Sequence, residues 1–138
     1  MRRMYAVGLA VVVLSLTGCG IFDKTQTGVL VPGGPATIED VPVPSGFKYT
    51  DDGSWSDVNK DLKQRAAVQN FYGKAAILRI AEFYQDQLPK NKWLGTSVEQ
   101  SPGRIIVHAT KTNETLTITA WDDTFYTKIN MQLERVKK

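Results

Sequence analysis

One cysteine, Cys19, and one histidine, His108, are all that 138 residues offer of either type. A lone cysteine excludes an intrachain disulfide. A lone histidine leaves no nitrogen-and-sulfur ligand set for zinc, so no metal is expected. A catalytic histidine works beside a nucleophile and an orienting carboxylate, and no motif around His108 supplies them, so no catalytic residue is assigned. Charge of one sign is equally scarce. Lys and Arg total 17 against 14 Asp and Glu, without the basic stripe that holds a nucleic acid. No phosphate loop occurs, because Pro32-Gly33-Gly34-Pro35 lacks the Lys-Ser/Thr that would follow. The apolar run from Tyr5 to Gly18 falls short of the roughly 18–20 residues that a spanning helix needs.

What is present begins at the N-terminus. Arg2-Arg3, the uncharged run Tyr5–Gly18 and the small residues that close it form a secretory signal pattern. Leu16-Thr17-Gly18-Cys19 resembles the lipobox of bacterial lipoproteins. The resemblance implies a diacylglyceryl group on the Cys19 sulfur, cleavage between Gly18 and Cys19, and acylation of the new amine. Cysteine suits this role because its thiolate is a good nucleophile. Two or three acyl chains hold a protein firmly on a membrane where one chain binds reversibly. Loss of Arg2 and Arg3 with the signal leaves 15 cations against 14 anions. Gly20 stands where an aspartate would resemble an inner-membrane retention signal, so the expected address is the outer membrane facing the periplasm in a Gram-negative host.

The chain then divides into a signal peptide over 1–18, a lipidated N-terminus and flexible tether over 19–40, and one domain over 41–138. The tether carries Pro32-Gly33-Gly34-Pro35 and no helical period. Val41–Phe47 is held extended by its prolines. Asp52-Gly53 reads as a turn, and 65–72 as a strand ended by Gly73. Ile77, Ile80, Ala81, Tyr84 and Leu88 fall on one face of a helix that Pro89 stops. Alternation follows in Ile105/Val107/Ala109, in Leu116/Ile118/Ala120 and in Phe125/Ile129/Met131/Leu133, with Trp93–Glu99 as a further strand segment. The expected fold is α+β: a two-layer sandwich, one amphipathic helix packed on an antiparallel sheet, in the order β-β-α-β-β-β.

Val41–Phe47 (VPVPSGF) together with Ala81–Trp93 (AEFYQDQLPKNKW) resembles small bacterial envelope lipoproteins that have a proline-rich entry and a helix ending in Leu-Pro before a tryptophan. The resemblance spans Val41 to about Val136 and implies no activity.

Other candidates are bland. Asp51, Asp52 and Asp57 do not fit a calcium loop, since Gly53, Trp55 and Leu62 occupy its third, fifth and twelfth positions. Asp122 and Asp123 with Glu82 or Glu114 would serve a glycosidase only across a cleft. The aromatic pairs Phe71-Tyr72 and Phe125-Tyr126 are expected to send one ring each to the surface, which favours protein partners. The leading expectation is therefore a non-enzymatic, membrane-anchored envelope lipoprotein that binds a protein partner or helps assemble an envelope complex. It has no cofactor and no nucleic acid, and its membrane contact runs through Cys19. A small-ligand or lipid carrier is the alternative, and a cell-wall-acting enzyme the third reading.

Overall fold

The computed structural model describes residues 28–136. The signal peptide and the lipidation and cleavage residues Gly18 and Cys19 lie outside the described residues. Six strands form one antiparallel sheet: β1 (Lys48–Asn59), β2 (Gln64–Gly73), β3 (Leu94–Ser101), β4 (Arg104–Lys111), β5 (Glu114–Asp122) and β6 (Thr127–Arg135). Their order across the sheet is β1-β2-β6-β5-β4-β3. The single helix of at least eight residues among the described residues, α1 (Ile77–Lys90), lies between β2 and β3 in sequence.

This corrects the expected two-layer β-β-α-β-β-β sandwich. The order is β-β-α-β-β-β-β, and the sheet dominates the domain. The expected order lacked one strand: β3, over the expected segment Trp93–Glu99, is a mostly exposed edge strand with only Val98 packed against the core. The single helix also fails to cover the sheet. It packs mainly on β3, β4 and β5.

The remaining half of the apolar face is covered by residues 30–47. Leu30, Ile38, Val41, Val43 and Phe47 are all buried. The segment doubles back on itself: Pro32 bridges Pro44, Ile38 bridges Val41, and Gly33 and Gly34 both donate to the Val43 carbonyl. Asp40 lies beside Arg65 at the start of β2, and Phe47 lies on Gly73 at its end. The segment is therefore a strap laid along the sheet. The stretch expected to be a flexible tether is packed structure from Leu30 onward, because its apolar side chains have an uncovered sheet to bury against.

Gly73 is where the strap closes. A Cβ there would stand 2.8 Å from two atoms of the Phe47 ring, and the ring is buried and has little room to move. Gly73→Ala should cost about 1–3 kcal/mol by overpacking, read as a lower urea midpoint with an unchanged slope.

Asp52-Gly53 is a bulge, not a turn. The register between β1 and β2 shifts between Thr50 and Trp55, and Gly53 has φ +72°. A G1-type bulge and a tight turn both use that glycine conformation. Ser54 Oγ donates to the Thr50 carbonyl and accepts from the Asn70 amide, which ties the bulge to β2.

Candidate functional site

All six strands run between the same two ends. One end collects the β1–β2 turn, the β4–β5 turn, the C-terminus of α1 and the last residues of β6. The opposite end collects the N-terminus of α1, the β3–β4 turn and the β5–β6 turn.

At the first end lies a cleft of about 1080 Å³. Apolar lining comes from Trp55, Leu62, Ala66, Val68 and Val136, cationic lining from Lys63, Arg65, Lys111 and Arg135, and anionic lining from Glu114 and Glu134. Trp55 reaches it because Trp55 and Val68 are register partners, with Val68 opposite Gln132 in turn. Its volume is that of a small-molecule site, and its mixed lining suits a ligand with an apolar body and a polar end.

One wall of the cleft is braced by a charge cluster that ties the strap to the sheet. The Arg65 guanidinium donates to both Asp40 carboxylate oxygens, at 2.6 and 2.8 Å, and to both Glu114 oxygens, at 2.7 and 3.1 Å. Lys111 Nζ also donates to Asp40 and stands 4.7 Å from the centroid of the Trp93 ring. The Trp93 indole N–H donates to the Asp40 carbonyl at 2.9 Å. Partial burial pulls the Asp40 carboxyl upward, but the hydrogen bonds and charges of Arg65 and Lys111 outweigh it and hold the group at about 2. The hydrogen bonds from Arg65 to Asp40, opposed by burial and helped by Glu114, hold the guanidinium well above its usual range.

Beneath α1 the space is filled rather than hollow. Ile80, Tyr84 and Leu88 are fully buried there, with Phe83 and Tyr84 edge to face at 4.9 Å. The Tyr84 hydroxyl is buried without a hydrogen-bond partner among the described residues, and burial raises its pKa. Tyr84→Phe removes an unpaired polar group at little change of shape, so it should be neutral or stabilising by up to about 1 kcal/mol. Thermal melts of the two proteins measure it.

The residues singled out from sequence do not converge. His108 lies on the outer face of the sheet, its Nε2 3.8 Å from Glu99 Oε2. Asp122 ends β5 and Glu114 begins it, so a strand's length of roughly 26–27 Å separates them. Asp123 pairs with Lys128 at 2.9 Å and Glu82 with Arg79 at 2.8 Å. Asp51, Asp52 and Asp57 are exposed along the edge strand β1. No group of three potential metal ligands occurs among the described residues. Of the aromatics, Phe71 and Trp93 are core and Tyr72 is half-buried, as the pairing of faces requires. Phe125 and Tyr126 lie in the β5–β6 turn and not on β6, and both are exposed.

The cleft was not visible in the sequence. Its lining comes from three separate turns and strand ends, and the cluster beside it joins residues 25, 49 and 71 positions apart.

A family model described as START domain-like matches residues 64–124, from the start of β2 to just past β5. The match includes Gln64–Val68 and Lys111–Glu114, which contribute to the cleft. No curated protein and no solved structure matches the chain.

Proposed function

We propose that this chain is a lipid-anchored envelope protein whose domain binds a small amphiphile or lipid in the cleft at the β1–β2 end of the sheet. The observation that carries the reading is the cleft itself: ligand-sized, with apolar walls and four cations against two carboxylates around it. The START domain-like match supports it, since a small-ligand or lipid-binding domain accounts for both. The anchor at Cys19 rests on the lipobox resemblance of Leu16–Cys19.

In this reading the domain binds and does not transform its ligand. The polar end sits among the cations, where Lys63 is the one whose side chain has no hydrogen-bond or ion-pair partner among the described residues. The apolar part lies against Trp55, Ala66 and Val68. This displaces a protein partner as the leading role. Trp55, an exposed ring on the edge strand β1, is a wall of the cleft.

Displacement of a fluorescent naphthylamine probe by a lysophospholipid tests the reading. Ala66→Trp places an indole inside the cleft and should weaken binding by about tenfold or more, some 1.4 kcal/mol or above. Ile106→Trp, on the outer face of β4 away from the cleft, should leave binding unchanged. Equal affinities in all three proteins would reject the cleft as the site.

A further inference from the structure

The strap fixes where the membrane anchor leaves the domain. The Ser45 amide donates to the Val31 carbonyl, and Phe47 lies on Gly73 at the end of β2. Val31 therefore lies at the end of the sheet opposite the cleft. From Cys19 to Gly28 is nine residue steps, a reach of at most about 30 Å. Whatever holds Cys19 holds this end near it.

That end also bears exposed apolar side chains. Val29 is 85% exposed, Phe125 76% and Leu78 58%, with Val31 and Tyr126 beside them. They come from three separate segments: the start of the strap, the first turn of α1 and the β5–β6 turn. The last two adjoin because Thr127 Oγ1 donates to the Ala75 carbonyl and Tyr126 packs edge to face on Tyr72 at 5.4 Å, and the Ser45–Val31 hydrogen bond sets the start of the strap at the same end. Lys74 stands over the Tyr126 ring at 5.4 Å. Lys48, Arg104 and Lys128 belong to the same end, against Asp122 and Asp123, and Asp123 is already paired with Lys128. Cations thus exceed anions there.

We propose that this end of the sheet docks on the bilayer surface, with Phe125, Leu78 and Val29 in the interfacial layer and the ligand cleft facing away from the anchoring membrane. Aromatic and aliphatic side chains ringed by lysine and arginine are the composition that settles at the boundary between headgroups and acyl chains. The excess of cations suits anionic lipid. The geometry presents the cleft to the aqueous compartment, where a ligand can be taken up or handed on. This inference rests on the Cys19 anchor of the proposed function.

The test uses the full chain, expressed in a bacterial host and reconstituted into vesicles of phosphatidylethanolamine and phosphatidylglycerol. Phe125→Cys and Lys60→Cys place a thiol at the docking end and in the β1–β2 turn respectively, and each is labelled with an environment-sensitive maleimide dye. Both positions are exposed, so neither change disturbs the core. Intact mass reports the acyl chains on Cys19 separately. The expected result is an acylated mass, with the Phe125→Cys label losing emission when the lipids carry bromine and the Lys60→Cys label keeping it. An acylated protein in which neither label is quenched, or in which the Lys60→Cys label is quenched as strongly, overturns the docked orientation and leaves the anchor standing. A mass without acyl chains overturns the anchor and the docking together.

Discussion

Trp93→Ala is expected to lower the unfolding free energy by about 3–5 kcal/mol, the range for deleting a large aromatic from a core. Trp93 is fully buried just after α1 and joins three parts of the molecule. Its indole N–H holds the Asp40 carbonyl in the strap, its ring lies under Lys111 of β4, and its backbone amide donates to the Leu88 carbonyl at the end of α1. Alanine leaves a cavity, an unpaired carbonyl in the strap and a cation without its ring. Trp93→Phe keeps most of the volume and should cost less, roughly 1–2 kcal/mol, chiefly for the lost hydrogen bond. Urea unfolding of the three proteins separates the terms. Equal midpoints for Trp93→Ala and wild type would mean that this corner is not packed as described.

Replacing Arg65 by leucine should be nearly as damaging. The guanidinium neutralises Asp40 and Glu114 together, and all three side chains are only about a fifth exposed. Removing it leaves two carboxylates facing each other, with Lys111 able to answer only one. A fully buried pair broken in this way costs roughly 3–5 kcal/mol, and partial exposure brings the expectation to about 2–3. The same cluster gives a signature in acid. Asp40 titrates at about 2 when folded, against a usual 3.8. Its contribution is therefore complete above pH 3.8 and is lost as the pH falls through about 2. Solvent screening holds that contribution to about 1–2 kcal/mol. Asp40→Asn should flatten the stability curve across that interval. An unchanged acid slope in the variant would show that Asp40 does not carry it.

The parts of this fold that local periodicity can report were legible. Ile80, Ala81, Tyr84 and Leu88 are buried on one face of α1, and Ile105/Val107/Ala109, Leu116/Ile118/Ala120 and Ile129/Met131/Leu133 are buried on one face of the sheet. Each of those patterns arises within a single element, where the chain's own geometry sets the period. The strap had no such signal. Leu30, Ile38, Val41, Val43 and Phe47 are spaced irregularly among prolines and glycines, so their burial depends on a sheet surface formed some 20 to 100 residues later. Asp52-Gly53 shows a different limit: one glycine conformation serves both a turn and a bulge, and only the pairing with Asn70 of β2 decides between them. The cleft is further still from local sequence. Leu62, Lys63, Lys111, Arg135 and Val136 adjoin it because the β1–β2 turn, the β4–β5 turn and the last residues of β6 lie at the same end of the sheet.

Native mass spectrometry of the full chain, extracted from cell envelopes in mild detergent, tests the central claim most directly. Wild type should carry a noncovalent small-molecule adduct of lipid or amphiphile mass on top of the acylated polypeptide, and Ala66→Trp should carry the acyl chains without the adduct. An adduct retained at equal occupancy in Ala66→Trp, or an adduct absent from wild type and variant alike, would contradict ligand binding in this cleft.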